Sequence, residues 1–212
     1  MNMIQFAIAV TLASLAGATH ASVVLDQQHA VFNNGLVFSS TTGYAQTFTV
    51  GQTGVLDSID VALTRGGGIA ASTYTFTVRD GIEGNSLYSA NFSVLNLPTT
   101  FNRFTNFDLG ALNIGVTAGD VLAIVVDGWT GVTSGGCPFC WSGSVLATDY
   151  NGGSAYMLLP ASIQLSVWDL GFRTYVDVPS PVPLPAAAWL FGSALAGLGF
   201  VRKYKQREIL AA

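Results

Sequence analysis

The stretch "TYTFTVRD" puts Tyr74, Phe76 and Val78 on one side of the chain and Thr73, Thr75, Thr77 and Arg79 on the other. A side-chain period of two describes a half-buried β-strand, whereas a helix needs recurrence near 3.6. The same alternation groups Gln46, Phe48 and Val50 in "AQTFTV", Ile59, Val61 and Leu63 in "SIDVALTR", and Tyr88, Ala90, Phe92 and Val94 in "LYSANFSV". Glycines at 51, 54, 66–68, 81, 84 and 119 bound these runs and supply the backbone freedom of tight turns. "DVLAIVVDG" is apolar at consecutive positions, which predicts a central strand covered on both faces. In "LSVWDLGFRTYV" the alternation sends Trp168, Leu170 and Phe172 one way and Asp169 and Arg173 the other, as neighbours on an exposed face. No stretch between residues 22 and 177 sustains helical spacing.

About eight to ten short strands follow from this pattern, and with them an all-β fold. The expected architecture is an antiparallel β-sandwich, jelly-roll-like, with two sheets sharing one core. A chain of 212 residues has room for one such domain with accessory segments at its ends.

Both ends differ from the middle. Residues 1–21 carry an apolar run from Ile4 to Leu15, then small residues, with Thr19 and Ala21 at the positions that signal peptidase reads. The expectation is a secretory signal peptide cut before Ser22, although no Lys or Arg precedes its apolar run. Residues 178–185, "VPSPVPLP", are rich in proline, which lacks an amide donor and favours extended backbone, so they read as a semi-rigid spacer. Residues 186–201 follow without a charge, about 16 residues or roughly 24 Å as a helix, against a hydrocarbon core of about 30 Å. Residues 202–212 then bring Arg202, Lys203, Lys205 and Arg207, a cluster that the positive-inside rule keeps cytoplasmic. The predicted topology is a cleaved signal, an exported domain over 22–177 and a marginal C-terminal transmembrane helix.

"VPLPAAAWLFGSALAGLGFVRKYK" resembles the VPLPA variant of the PEP-CTERM sorting signal, in which a short proline motif, an apolar helix with small residues and a basic end occur in that order. The resemblance covers about 30 residues. It implies that Val182, Pro183, Leu184, Pro185 and Ala186 form the sorting motif, that Trp189 and Gly192 lie in the helix, and that Arg202, Lys203 and Lys205 form the membrane stop. It further implies processing by an exosortase, a membrane enzyme of Gram-negative bacteria that make exopolysaccharide. The chain is then a substrate, delivered to the cell surface or extracellular matrix. The strand order from "AQTFTVG" to "WDLGFRTYV" is, more diffusely, similar to galactose-binding-like jelly-roll ectodomains that precede such tails.

Charge narrows the partners. Charged residues make up 9% of the chain, against about 25% in ordinary soluble domains. Between Ser22 and Asp177 stand eleven carboxylates and four arginines, Arg65, Arg79, Arg103 and Arg173, leaving a formal charge of −7 and no lysine. A nucleic-acid partner is excluded as an expectation, because phosphate binding needs clustered basic residues.

Cys137 and Cys140 have CxxC spacing in "GGCPFCW". A redox pair sits at the start of a helix whose N-terminus stabilises a thiolate, but the neighbours here are loop-forming glycines and serines. In an oxidising compartment the pair reads as a local disulfide. His29 reads as structural or surface, and no GxSxG elbow accompanies a serine. A glycosidase-like hydrolase is the competing reading; it needs two carboxylates, and no motif singles out a pair. The favoured reading is therefore noncatalytic, with no cofactor.

A sugar has an apolar face and a fringe of hydroxyls, so its site needs aromatic planes beside short polar groups. Trp129, Phe139, Trp141, Tyr150 and Tyr156 gather in one region, with Asp127, Asp149 and Asn151 as hydroxyl partners. The same aromatics are also what a sandwich core requires. Asp80, Glu83 and Asn85 crowd the turn in "RDGIEGNS" as weak calcium candidates, short of the six to eight oxygens that calcium takes.

Overall fold

The computed structural model describes residues 21–67, 70–131, 137–145, 150–159, 161–179 and Phe191. The expected signal sequence up to residue 20, the sorting motif Val182–Ala186, the 186–201 helix apart from Phe191, and the stop residues Arg202, Lys203 and Lys205 lie outside the described residues, as does Asp149. Among the described residues no helix is long and apolar enough to cross a membrane.

Ser22–Val178 forms one compact unit, and it is an antiparallel β-sandwich. Its strands are β1 (Ser22–His29), β2 (Asn34–Val37), β3 (Gly43–Thr49), β4 (Gly54–Val61), β5 (Leu63–Arg65), β6 (Thr73–Arg79), β7 (Ser86–Ser93) and β8 (Thr105–Asp108). They continue with β9 (Gly115–Val116), β10 (Val121–Asp127), β11 (Phe139–Val145), β12 (Ala155–Leu158), β13 (Ser162–Leu165), β14 (Trp168–Leu170) and β15 (Phe172–Val178). One sheet has six strands in the order β13-β12-β3-β10-β6-β7. A second runs β1-β15-β4-β8, with β9 also on β4. In the third, β11 pairs with β2 on one side and with β5 and β14 on the other.

The second and third sheets are joined by a fork at three residues. Ala62 N–H donates to Gly171 O at 3.0 Å, Gly171 N–H to Ser142 O at 2.8 Å, and Ser142 N–H to Ala62 O at 2.8 Å. This closed ring of backbone bonds satisfies every member while β4 and β15 part and continue as β5 and β14 on the same side of β11. Single-residue interruptions at Ala62 and Gly171 thus divide two continuous runs, one reason for fifteen strands among the described residues where the periodicity suggests eight to ten. Gly171 has no room for a side chain, since a Cβ there meets the Phe32 ring, the Ala62 Cβ and the Ser142 carbonyl.

The alternation correctly marks the inner face of the six-stranded sheet. Phe48, Tyr74, Phe76, Val78, Leu122, Ile124 and Val126 are buried there. Phe76 stacks on Phe107 of β8 with centroids 3.8 Å apart, and Phe48 meets Phe172 of β15 at 5.7 Å, so aromatic pairs tie the two layers together. The consecutive apolar run in β10 is explained by its place between β3 and β6. Ala123 and Val125 face the other way and are still fully buried, with Ala45, beneath Ile82, Tyr156 and Leu158.

Asp169 and Arg173 are not neighbours on an exposed face. The chain changes sheet at Gly171 between them, so Asp169 is buried opposite Ser144, whereas Arg173 stands opposite Asp60 with its guanidinium 4.2 Å from the Phe104 ring centroid.

Candidate functional site

A cavity of about 250 Å³ opens between the segment leading into β12 and the one joining β13 to β14. Tyr150, Asn151, Ser154, Gln164, Trp168 and Asp169 line it. Backbone chemistry sets the first segment against β3: Thr49 Oγ1 donates to Gly152 O at 2.7 Å and Ser154 N–H to Thr47 Oγ1 at 2.8 Å. Gly153 permits this approach, because a Cβ there runs into the Thr47 carbonyl. The β12–β13 hairpin returns the chain so that Gln164 Nε2 reaches Ser154 Oγ at 3.0 Å.

Tyr150 is fixed on two sides. Its ring meets Phe172 edge to face at 5.1 Å, and its hydroxyl donates to Gln27 Oε1 at 3.3 Å. Burial pushes its phenol up to about 12, and the carboxylates of Asp26 and Asp169 add to the shift while a bond with the Thr49 backbone opposes it. The phenol is therefore neutral near pH 7. Trp168 is half-buried, packed on the core along part of its side chain. Asp169, 5% exposed, is among the lining residues.

This arrangement brings together Tyr150 and Asn151 of the residues expected to bind carbohydrate and places Trp129, Trp141, Tyr156 and Asp127 elsewhere. Trp129 and Trp141 are corrected to core residues: they are 2% and 0% exposed and offer no ring face to a ligand. Trp129 Nε1 donates to Ser72 Oγ at 3.0 Å and its ring meets Phe139 edge on, while Trp141 Nε1 donates to Gly171 O at 2.9 Å. Tyr156 covers Ala45, Ala123 and Val125 on the outer face of the six-stranded sheet. Asp127 lies at the end of β10, its carboxyl raised by burial and lowered by Arg79. Trp168, Asp169, Gln164 and Ser154 were not singled out by composition. Trp168 follows exposed Ser166 and Val167 at the very start of a three-residue strand, a signal that its ring lies at the rim rather than in the middle of the core.

Cys137 and Cys140 are joined in a disulfide, with Cα atoms 5.8 Å apart, and the pair leads into strand β11 rather than a helix. His29 is buried, and its Nε2 lies 2.9 Å from Ser144 Oγ. Ser144 is fully buried, so this pair serves the interior rather than a substrate. The weak calcium candidates Asp80, Glu83 and Asn85 stand in the turn between β6 and β7. The turn closes through Asp80 N–H to Asn85 O at 3.0 Å, the Glu83 carboxylate is taken by Ser162 Oγ, and among the described residues no three His, Cys, Asp or Glu side chains are grouped to hold a metal.

Comparison with protein-family models and with curated proteins gives no match.

Proposed function

We propose that the chain is a noncatalytic exported protein whose jelly-roll-like sandwich binds polysaccharide through the cavity at Tyr150 and Trp168. The observation that carries the reading is the pairing of two aromatic residues, Tyr150 and Trp168, with two amides and two serines around one concavity, the composition that a sugar ring calls for. The ends supply the delivery. A signal peptide over 1–21 directs export, the helix over 186–201 anchors the protein with Arg202, Lys203 and Lys205 inside, and an exosortase acts at Val182–Ala186. The product resides at the surface or in the extracellular matrix of a Gram-negative bacterium, against exopolysaccharide.

Two measurements test this. Mass spectrometry of the protein from its native host reports the C-terminus; a chain ending at Ala212 on the mature protein speaks against sorting by cleavage. Retention of the full chain on the host's exopolysaccharide, compared with Trp168→Ala, tests the cavity. Equal retention of both chains removes the site, and release of new reducing ends favours the hydrolase reading.

A further inference from the structure

We infer that β7 is a pairing edge for a second copy of this chain, which joins it antiparallel, β7 to β7, so that two six-stranded sheets become one. β7 ends the order β13-β12-β3-β10-β6-β7, and among the described residues no strand pairs its outer side. Its sequence, "SLYSANFS", has neither charge nor proline, the devices that keep an open edge from pairing. A bulge at Leu87 interrupts only its start and leaves residues 88–93 regular. The other edges are guarded or short: β1 bears Asp26 at a register shift, and β2, β5, β8, β9, β13 and β14 run two to four residues.

The phase of the β6–β7 ladder shows which groups are open. Val94 N–H donates to Ser72 O at 3.0 Å, whereas Thr73 turns its N–H to Thr130 Oγ1 at 3.2 Å and its carbonyl to Thr130 N–H at 3.1 Å. Bonded pairs alternate along an antiparallel ladder, so Phe92, Ala90 and Tyr88 bond β6 while the N–H and carbonyl of Ser89 and Asn91 point outward. Their side chains are held on their own sheet, Ser89 Oγ 3.0 Å from Thr77 Oγ1 and Asn91 Oδ1 accepting from Thr75 Oγ1 at 2.9 Å. A two-fold axis at Ala90 sets Ser89 against Asn91 of the second copy as bonded pairs, and Tyr88 against its Phe92 as the closer, non-bonded pairs. Both aromatics are half-buried beside Phe76, and the joint covers what each leaves exposed.

Charge selects the antiparallel arrangement. Asp80 and Glu83 stand at the β6–β7 turn of a domain that is already acidic. Antiparallel pairing puts the two turns at opposite ends of the ladder, roughly 30 Å apart at about 3.4 Å per residue and beyond a Debye length of about 8 Å, whereas parallel pairing sets them side by side. The axis also closes the assembly at two copies, since each β7 is covered by the other.

Sedimentation velocity of the full chain in density-matched mild detergent tests this. A dimer is expected, and Asn91→Pro, which removes an outward N–H and no backbone bond to β6, weakens it at least about tenfold with an unchanged circular dichroism spectrum. Ser89→Lys places a charge on the edge and is expected to weaken it likewise. Ala90→Cys is expected to give a disulfide-linked dimer on oxidation, and Val23→Cys on β1 is not. A chain that stays monomeric up to about 100 μM overturns the inference. So does a dimer that neither Asn91→Pro nor Ser89→Lys weakens, or a link at Val23→Cys with none at Ala90→Cys.

Discussion

The indole of Trp141 donates to the main-chain carbonyl of Gly171 at 2.9 Å, so the largest fully buried side chain among the described residues is fastened to the residue where a strand leaves one sheet for another. That carbonyl also accepts from Ala62 N–H. Trp141 therefore holds the fork closed, and its aromatic character serves packing and hydrogen bonding together.

Substitutions at this pair are expected to unfold rather than to disarm. Trp141→Phe deletes a buried donor and some volume and is expected to cost about 1–3 kcal/mol. Gly171→Ala forces a Cβ against the Ser142 carbonyl and the Ala62 Cβ, both 2.9 Å away, at about 1–3 kcal/mol. Urea unfolding midpoints measure both. Cooperative unfolding at the wild-type midpoint in either variant contradicts the fork as described.

Alkaline stability follows from the buried phenols. The Tyr150 phenol is raised to about 12, and burial raises Tyr44 and Tyr74 as well, all from the ordinary value of 10.0. The folded state keeps these protons where the unfolded chain has lost them, so stability is full below about pH 10 and falls as pH rises through the folded values. Thermal midpoints between pH 8 and 12 are expected to drop in that window, and less steeply in Tyr150→Phe.

Asp127 behaves as an acid whose folded value is raised, chiefly by burial, with Arg79 opposing. Its contribution is present below the unfolded value near 4 and lost as pH rises through the folded value. Asp127→Asn is accordingly expected to match the wild type at pH 3 and to be more stable at pH 7. A loss of stability at pH 7 in that variant shows that the carboxylate is held by interactions stronger than its desolvation.

The Cys137–Cys140 link closes a loop of sequence separation 3, so chain entropy assigns it only about 2 kcal/mol. The double Cys→Ser variant is expected to fold, to lose about that amount in denaturant titration and to leave the cavity unaltered, since neither cysteine lines it. Loss of folding at ambient temperature contradicts this small role.

Strand periodicity was legible because each side chain's burial is set by its own strand. Tyr74, Phe76 and Val78 alternate inward wherever β6 is placed, and the unbroken apolar run of β10 already announces a strand between two others. Covalent proximity made the cysteine pair readable in the same way. The tryptophans were not: an indole serves a core and a sugar site equally well, and composition cannot say which face of which sheet it meets. Trp141 went inward on β11, which β2, β5 and β14 flank, and Trp129, just after β10, packs on Phe139 and bonds Ser72, whereas Trp168 remained at the rim.

The sequence by itself determined an all-β domain, its inner faces, its acidic balance and the local disulfide, since each depends on neighbours within a few residues. Tertiary structure alone decided the fork at Ala62, Ser142 and Gly171, the separation of Asp169 from Arg173, and the cavity that joins Tyr150 to Trp168. Those features require segments from different parts of the chain to be packed and hydrogen-bonded at once, and pairing between distant strands leaves no periodic trace in the residues it unites.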